Sequence, residues 1–198
     1  MKMYSTCFSR EYWQQSLREM KDLRKLVFAA LMIAACIILA RFKIPLGENL
    51  NLNVTFLARA LCATVCGPVL SIVFAAAEDT LSFFLSSGGY AYFPGYMITT
   101  ALGCLVYALC FYRRRITMRS LILAKVVTNV QNVFLGSLWS AMLYGKGYLF
   151  YLTSSAWKNL LYLPLQVLML VVVLQALLPV MHRLHWAPNQ LEEGRIPW

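Results

Sequence analysis

The grouping of apolar residues constrains this chain most. They come in long runs such as LVFAALMIAACIILA and LLYLPLQVLMLVVVLQALL, separated by short polar segments. A helix rises about 1.5 Å per residue, so ~20 apolar residues cross the ~30 Å hydrocarbon layer of a bilayer. Of 198 residues, 60% are hydrophobic and only 13% charged, against about 45–50% and about 25% in soluble domains. Six crossings use roughly 120 residues and leave roughly 80 for ends and loops. No separate soluble catalytic domain fits into that remainder.

The fold class expected is an all-α membrane protein with six transmembrane helices and both termini cytoplasmic. Residues 1–25 are polar and amphipathic and read as an interfacial helix with Tyr12, Trp13 and Leu17 toward lipid headgroups, not as a secretory signal. A six-helix membrane domain covers 26–182 and a cytoplasmic tail 183–198. The first membrane helix spans Leu26 to Ala40, followed by a loop from Arg41 to Asn53. The apolar stretch from Val54 to Leu85 is too long for one span. Gly67-Pro68 divides it into helices at 54–66 and 69–85, because proline removes a donor and clashes with the preceding turn. Further helices are expected at Tyr96–Tyr112, Ser120–Leu143 and Lys158–Met181, with loops at Ser86–Gly95 and Tyr144–Trp157.

Charge supports six crossings. With six, one side holds Lys2, Arg10, Arg18, Lys21, Arg24, Lys25, Arg113, Arg114, Arg115, Arg119, Arg183 and Arg195, and the other only Arg41, Lys43, Lys146 and Lys158. If 54–85 crossed once, the run Arg113–Arg119 would fall outside, against the positive-inside rule. The net charge of +10 therefore reflects topology, and no nucleic-acid partner is expected.

The loops on the sparsely charged side carry Glu48, Asn49, Tyr90, Tyr92, Phe93, Lys146, Trp157, Lys158 and Asn159. Boundary aromatics usually anchor helices at the headgroups. Here Gly88, Gly89, Pro94 and Gly95 also permit tight turns over a cavity mouth. Aromatics with amides and lysines suit a flat, hydrogen-bonding ring that bears negative charge. Tyr92, Phe93, Tyr96 and Trp157 are the expected ring-stacking residues, and Asn132, Lys158 and Asn159 the polar contacts. Lys125, Asn129 and Asn132 share one helix face, Lys125 being expected to snorkel toward the cytoplasm. Arg59, Glu78 and Asp79 are costly at membrane depth unless paired or functional, and a carboxylate there neutralising Arg59 or Lys125 is one reading.

Enzyme signatures such as HExxH, GxSxG and the P-loop are missing from the sequence, so no ATPase and no enzyme is expected. His182 and His185 fall past the last helix. Six cysteines form no CxxC pair, and Cys62 and Cys66, on one helix face, have no partner to complete a metal site. Free buried thiols are expected, with neither metal nor cofactor. Ala30 and Ala34 form a small-xxx-small pair that lets another helix approach closely.

Several stretches resemble a known family. These are the alanine-rich LVFAALMIAACIIL, the following IPLG, CGPVLSIVFAAAEDTLSFF, YFPGYMITTALGCLVYALCFYRRR and WKNLLYLPLQVLML. Over about residues 24–182 the chain resembles the substrate-binding S components of energy-coupling factor (ECF) vitamin transporters, folate group; FPG and KN-x4-P are the more specific pieces. The resemblance implies a vitamin-binding subunit that takes folate from outside and acts with a membrane scaffold subunit and two ATPase subunits. It places Phe93, Pro94, Gly95, Lys158 and Asn159 at the substrate and Ala30 and Ala34 at the scaffold, and with the residues read above the expected substrate set is Tyr92, Phe93, Pro94, Gly95, Tyr96, Asn132, Trp157, Lys158 and Asn159. Another vitamin (a pyrimidine precursor, riboflavin or thiamine), a membrane enzyme or a structural bundle are the alternatives.

Overall fold

The computed structural model describes residues 9–47, 50–86, 92–145, 147–184, 186 and 196–197, with 43–47, 50–52 and 86 described by backbone alone. Of the residues named above, Lys2, Glu48, Asn49, Gly88, Gly89, Tyr90, Lys146, His185 and Arg195 lie outside that set. In chain order come α1 (Arg10–Glu19), α2 (Leu23–Arg41), β1 (Lys43–Gly47), β2 (Leu50–Asn53), α3 (Thr55–Ser86), α4 (Pro94–Phe111), α5 (Met118–Tyr144) and α6 (Tyr148–Arg183). Five of these helices are long and apolar enough to cross a membrane.

The sixth crossing comes from a break inside α3. Gly67 has φ 74° and ψ 174°, outside helical geometry and open to glycine at no steric cost. Arg59 and Glu78 lie 19 positions apart, about 28 Å along a straight helix, yet Arg59 Nη2 is 2.9 Å from Glu78 Oε2. The chain therefore doubles back at Gly67-Pro68, as expected. The first arm, 55–66, is about 18 Å long and runs through the centre of the bundle. Its Ala60, Cys62, Ala63, Val65 and Cys66 are fully buried, small side chains that permit close helix packing in lipid.

α1 closes the turn. The Val69 N–H, left without a helical acceptor by the break, donates to Ser16 Oγ at 3.1 Å. A Cβ at Gly67 would lie 3.0 Å from both Ser16 Oγ and the Tyr112 ring. Tyr12 packs edge-on against Tyr112 and donates to the Ala108 carbonyl at 3.1 Å. This corrects the expectation that Tyr12 faces lipid. The inward face of α1 is Tyr12, Ser16 and Glu19, spaced by helical turns, while Leu17 stays exposed. Glu19 ties the same end together, 2.7 Å from Lys25 Nζ and 2.8 Å from Arg113 Nη2. The Met118 N–H donates to the Pro197 carbonyl, so the described ends of the chain meet at this end of the bundle. The β hairpin and the α5–α6 turn lie at the other.

Two expected loops differ. Lys43–Asn53 contains an antiparallel hairpin, with Ile44 opposite Leu52 and an irregularity between Pro45 and Gly47. The expected loop Tyr144–Trp157 is largely helical: α5 ends at Tyr144, Gly145 follows with φ 70°, and α6 already begins at Tyr148. Neither glycine nor proline stands between Tyr148 and Trp157 to stop it, and Thr153 Oγ1 bonds back to the Leu149 carbonyl. The KN pair therefore lies within α6 and does not open it. Cys36, Cys62, Cys66 and Cys104 are free and buried, and Cys110 is free and half-buried.

Candidate ligand-binding cavity

The polar residues of α3, α5 and α6 converge because each helix repeats them on one face. On α5, Lys125, Asn129 and Asn132 follow at i, i+4 and i+7; on α6, Ser155, Asn159, Tyr162 and Gln166 do nearly the same. Together with Asn53, Thr55, Phe56, Arg59 and Lys158 they line a cavity of about 320 Å3. A second space of about 120 Å3 shares Phe56, Arg59, Lys125, Asn129 and Asn132 and continues toward α4, reaching Thr99, Thr100, Gly103, Cys104, Tyr107, Thr128 and Gln131. The two are compartments of one polar region between the first arm of α3 and helices α4, α5 and α6.

Charges and amides in this region are held differently. Arg59 makes a two-point contact with Glu78, at 3.1 Å from Nε to Oε2 and 3.0 Å from Nη2 to Oε1. A planar guanidinium suits such a paired geometry. Asp79 accepts from Thr100 Oγ1 at 3.3 Å. Asn129 Nδ2 donates to Gln166 Oε1 at 3.1 Å, bridging α5 and α6. Gln131 Nε2 donates to the Thr99 carbonyl at 2.8 Å.

Lys125 is 4% exposed. Its Nζ sits 4.0 Å from the centroid of the Phe56 ring and 3.4 Å from Tyr107 Oη. It does not snorkel, because its face of α5 meets α3 and α4 and not the headgroups. Tyr107 stacks on Phe111, with ring centroids 5.9 Å apart, and the Phe56 face is the flat aromatic surface against the cation.

Of the expected site residues, Asn132, Lys158 and Asn159 are brought together on the cavity wall. Phe93, Tyr96 and Trp139 form a separate aromatic cluster at the start of α4. Phe93 lies 5.6 Å from Trp139 and 6.1 Å from Tyr96, and Tyr96 Oη is 3.2 Å from Ser140 Oγ. Gly95 allows that cluster to form: a Cβ there would meet the Phe93 ring and the Trp139 ring at 2.3 and 2.6 Å. Pro94 opens α4, where its missing N–H costs nothing. The cluster reaches the cavity indirectly, through Trp139 Nε1 donating to Thr99 Oγ1 at 2.9 Å. Tyr92 packs edge-on against Phe83 with its hydroxyl 3.4 Å from Thr80 Oγ1. Trp157 is not brought to these rings; it is 70% exposed. Its neighbours Lys158 and Asn159 turn inward on α6.

Missing from the expected site are Phe56, Arg59, Lys125, Asn129, Tyr162 and Gln166. The α5 polar stripe was a visible signal for two of them, and the matching stripe on α6 was another. Ala30 and Ala34 lie outward on α2, in an exposed strip with Val27, Leu31 and Ile38, while Lys25, Ala29 and Cys36 face the bundle.

Comparison with known proteins places this architecture. The folate transporter FolT of Leuconostoc mesenteroides subsp. mesenteroides is 29% identical over 154 residues, covering 74% of this chain and 82% of that protein. The folate transporter FolT of Clostridium novyi is 27% identical over 128 residues, 64% of this chain and 74% of that one. A crystal structure of FolT bound with folic acid superposes with a TM-score of 0.67 at 23% identity, covering 75% of this chain and 90% of that one, and so shares the fold. Residues 24–174 match the family described as ECF transporter, substrate-specific component. This multi-pass membrane protein belongs to that family, the substrate-binding subunits of ECF-type transporters.

Proposed function

We propose that the chain binds folate in the polar cavity and delivers it inward together with a membrane scaffold subunit and two ATPase subunits. The observation that carries this reading is the convergence of Asn129, Asn132, Lys158, Asn159 and Gln166 with the Phe56 ring on one cavity. Amides paired with an aromatic surface suit a flat heterocycle with donors and acceptors on its edge, and lysines suit a carboxylate tail. The similarity to two folate transporters favours folate over other vitamins.

The cavity's larger compartment reaches Asn53 at the end of β2 and the first half of α6, away from the chain's ends. With the basic cluster of α1 and Arg113–Arg119 cytoplasmic under the positive-inside rule, both termini are cytoplasmic and the compartment faces outward. Residues 1–25 and 183–198 then flank the membrane domain on its cytoplasmic side. The Phe93 cluster at the start of α4, with Tyr92, Pro94, Gly95 and Tyr96, frames the same outer end. Trp157, close by on α6, stands outside the ring-stacking set in this conformation. The exposed strip through Ala30 and Ala34 is the docking face for the scaffold, since small side chains let a helix approach closely.

The test is calorimetric titration of purified protein in detergent with folate, 5-formyltetrahydrofolate, riboflavin, thiamine and a pyrimidine precursor. Saturable binding of the two folates alone is the expected result. Selective binding of another vitamin would keep the subunit's class and discard folate. Tryptophan placed at Ala30 and Ala34 should abolish co-purification with the scaffold and spare ligand binding; loss of both would refute the docking assignment.

A further inference from the structure

We infer that Lys125 is a specificity-determining residue that reads the acceptor edge of the ligand's ring at the inner end of the cavity, with Lys158 left for the acidic tail. This rests on the folate reading above. Arg59 is answered by Glu78. Lys125 has no carboxylate within ion-pair distance among the described residues, although it is almost wholly buried. An ammonium carries three donors. One points to Tyr107 Oη and the Phe56 face covers another side, which leaves donor capacity toward the cavity that Lys125 lines. An unpaired buried cation is costly, and hydrogen bonds to ligand acceptor atoms offset part of that cost.

A second polar atom awaits a partner beside Lys125. Gln131 lines the same smaller compartment, with its Oε1 buried and unbonded; the unbonded Tyr162 hydroxyl lies nearer Lys158. An acceptor such as Gln131 Oε1 needs a ligand N–H, which a carboxylate end does not bring. Donors and acceptors beside flat rings therefore favour the ring edge at the Lys125 end. Lys158 stands far from it. With Asn129 and Gln166 level with one another, Lys158 lies about 18 Å further along the bundle axis than Lys125, so an extended ligand with a ring at one end and an acidic tail at the other reaches both.

The experiment is calorimetry on monodisperse protein in detergent with folate, 6-hydroxymethylpterin (ring without tail) and p-aminobenzoylglutamate (tail without ring). Lys125→Met should weaken folate and the pterin alike by roughly 10- to 100-fold, the range for a charged hydrogen bond, and leave the tail fragment unchanged. Unchanged folate affinity would overturn the proposal. So would a loss for folate and the tail fragment with the pterin unaffected, since Lys125 would then read the tail. Lys125→Gln removes the charge while keeping N–H donors and keeps the test open if Lys125→Met misfolds. It should weaken folate and the pterin several-fold with thermal stability unchanged or raised; wild-type affinity for both would refute ligand reading by Lys125. Wild-type protein that binds neither folate nor pterin would instead mark failure of the folate reading itself.

Discussion

Two regions of the bundle treat a buried lysine in opposite ways. At the end closed by α1, one carboxylate, Glu19, serves two cations, Lys25 and Arg113, at 2.7 and 2.8 Å. In the cavity, one cation, Lys125, has no carboxylate at all among the described residues. Burying an unpaired charge costs several kcal/mol, so the first arrangement holds the fold together and the second waits for a partner. Stability and recognition are thus assigned to separate regions, and substitutions should separate them.

The largest effect is expected at the closed end. Glu19→Gln leaves Lys25 and Arg113 buried without their counter-charge, which should cost about 3–5 kcal/mol of stability. Thermal unfolding in detergent reads this directly, and the folded fraction should bind folate as the wild type does. An unchanged unfolding temperature would show that the network is dispensable; weakened folate affinity at full stability would show that the two regions are coupled.

A smaller loss is expected at the turn that α1 covers. Gly67→Ala imposes a side chain at φ 74° and pushes a Cβ against Ser16 and Tyr112. Strain of this kind costs about 1–3 kcal/mol. The signature sought is a lower unfolding temperature together with faster proteolysis within α1. If α1 stayed protected while stability fell, the strain would be confined to the turn, and the seal would not depend on it.

The division of α3 was legible because Gly67-Pro68 states it in local chemistry: proline cannot continue the ladder, and glycine alone adopts that φ without cost. The packing of α1 was half legible. Its amphipathic period was plain, but whether the Tyr12 face meets lipid or protein depends on Tyr112 and Ala108, almost a hundred residues away. Lys125 departs from its expected snorkelling for the same reason. Its helix position was evident, yet snorkelling against burial is decided by what α4 and the first arm of α3 place opposite. The start of α6 was obscured by the polar and aromatic composition of Tyr148–Trp157, which resembles a loop but holds no residue that stops a helix. Asn132 belongs to a polar stripe visible on one apolar helix, whereas Lys158 and Asn159 are expected from the outer loop and the KN motif, and only the continuation of α6 puts them on the cavity wall.

The smallest effect is expected from Trp157→Ala, and it sharpens the contrast most cheaply. Trp157 is adjacent in sequence to Lys158 and Asn159, but a helix turns about 100° per residue, so neighbours do not share a face. Its ring is 70% exposed and absent from the cavity wall, whereas Lys158 and Asn159 line it. Exposed substitutions away from structural contacts usually change stability by less than about 0.5 kcal/mol, and folate affinity should change less than about twofold by the same reasoning. Calorimetry on Trp157→Ala and Asn159→Ala in parallel tests it, with Asn159→Ala expected to weaken binding. A large loss for Trp157→Ala would mean that the outer end of α6 rotates or closes when ligand binds. The ring would then belong to a bound conformation in which this face of α6 covers the cavity.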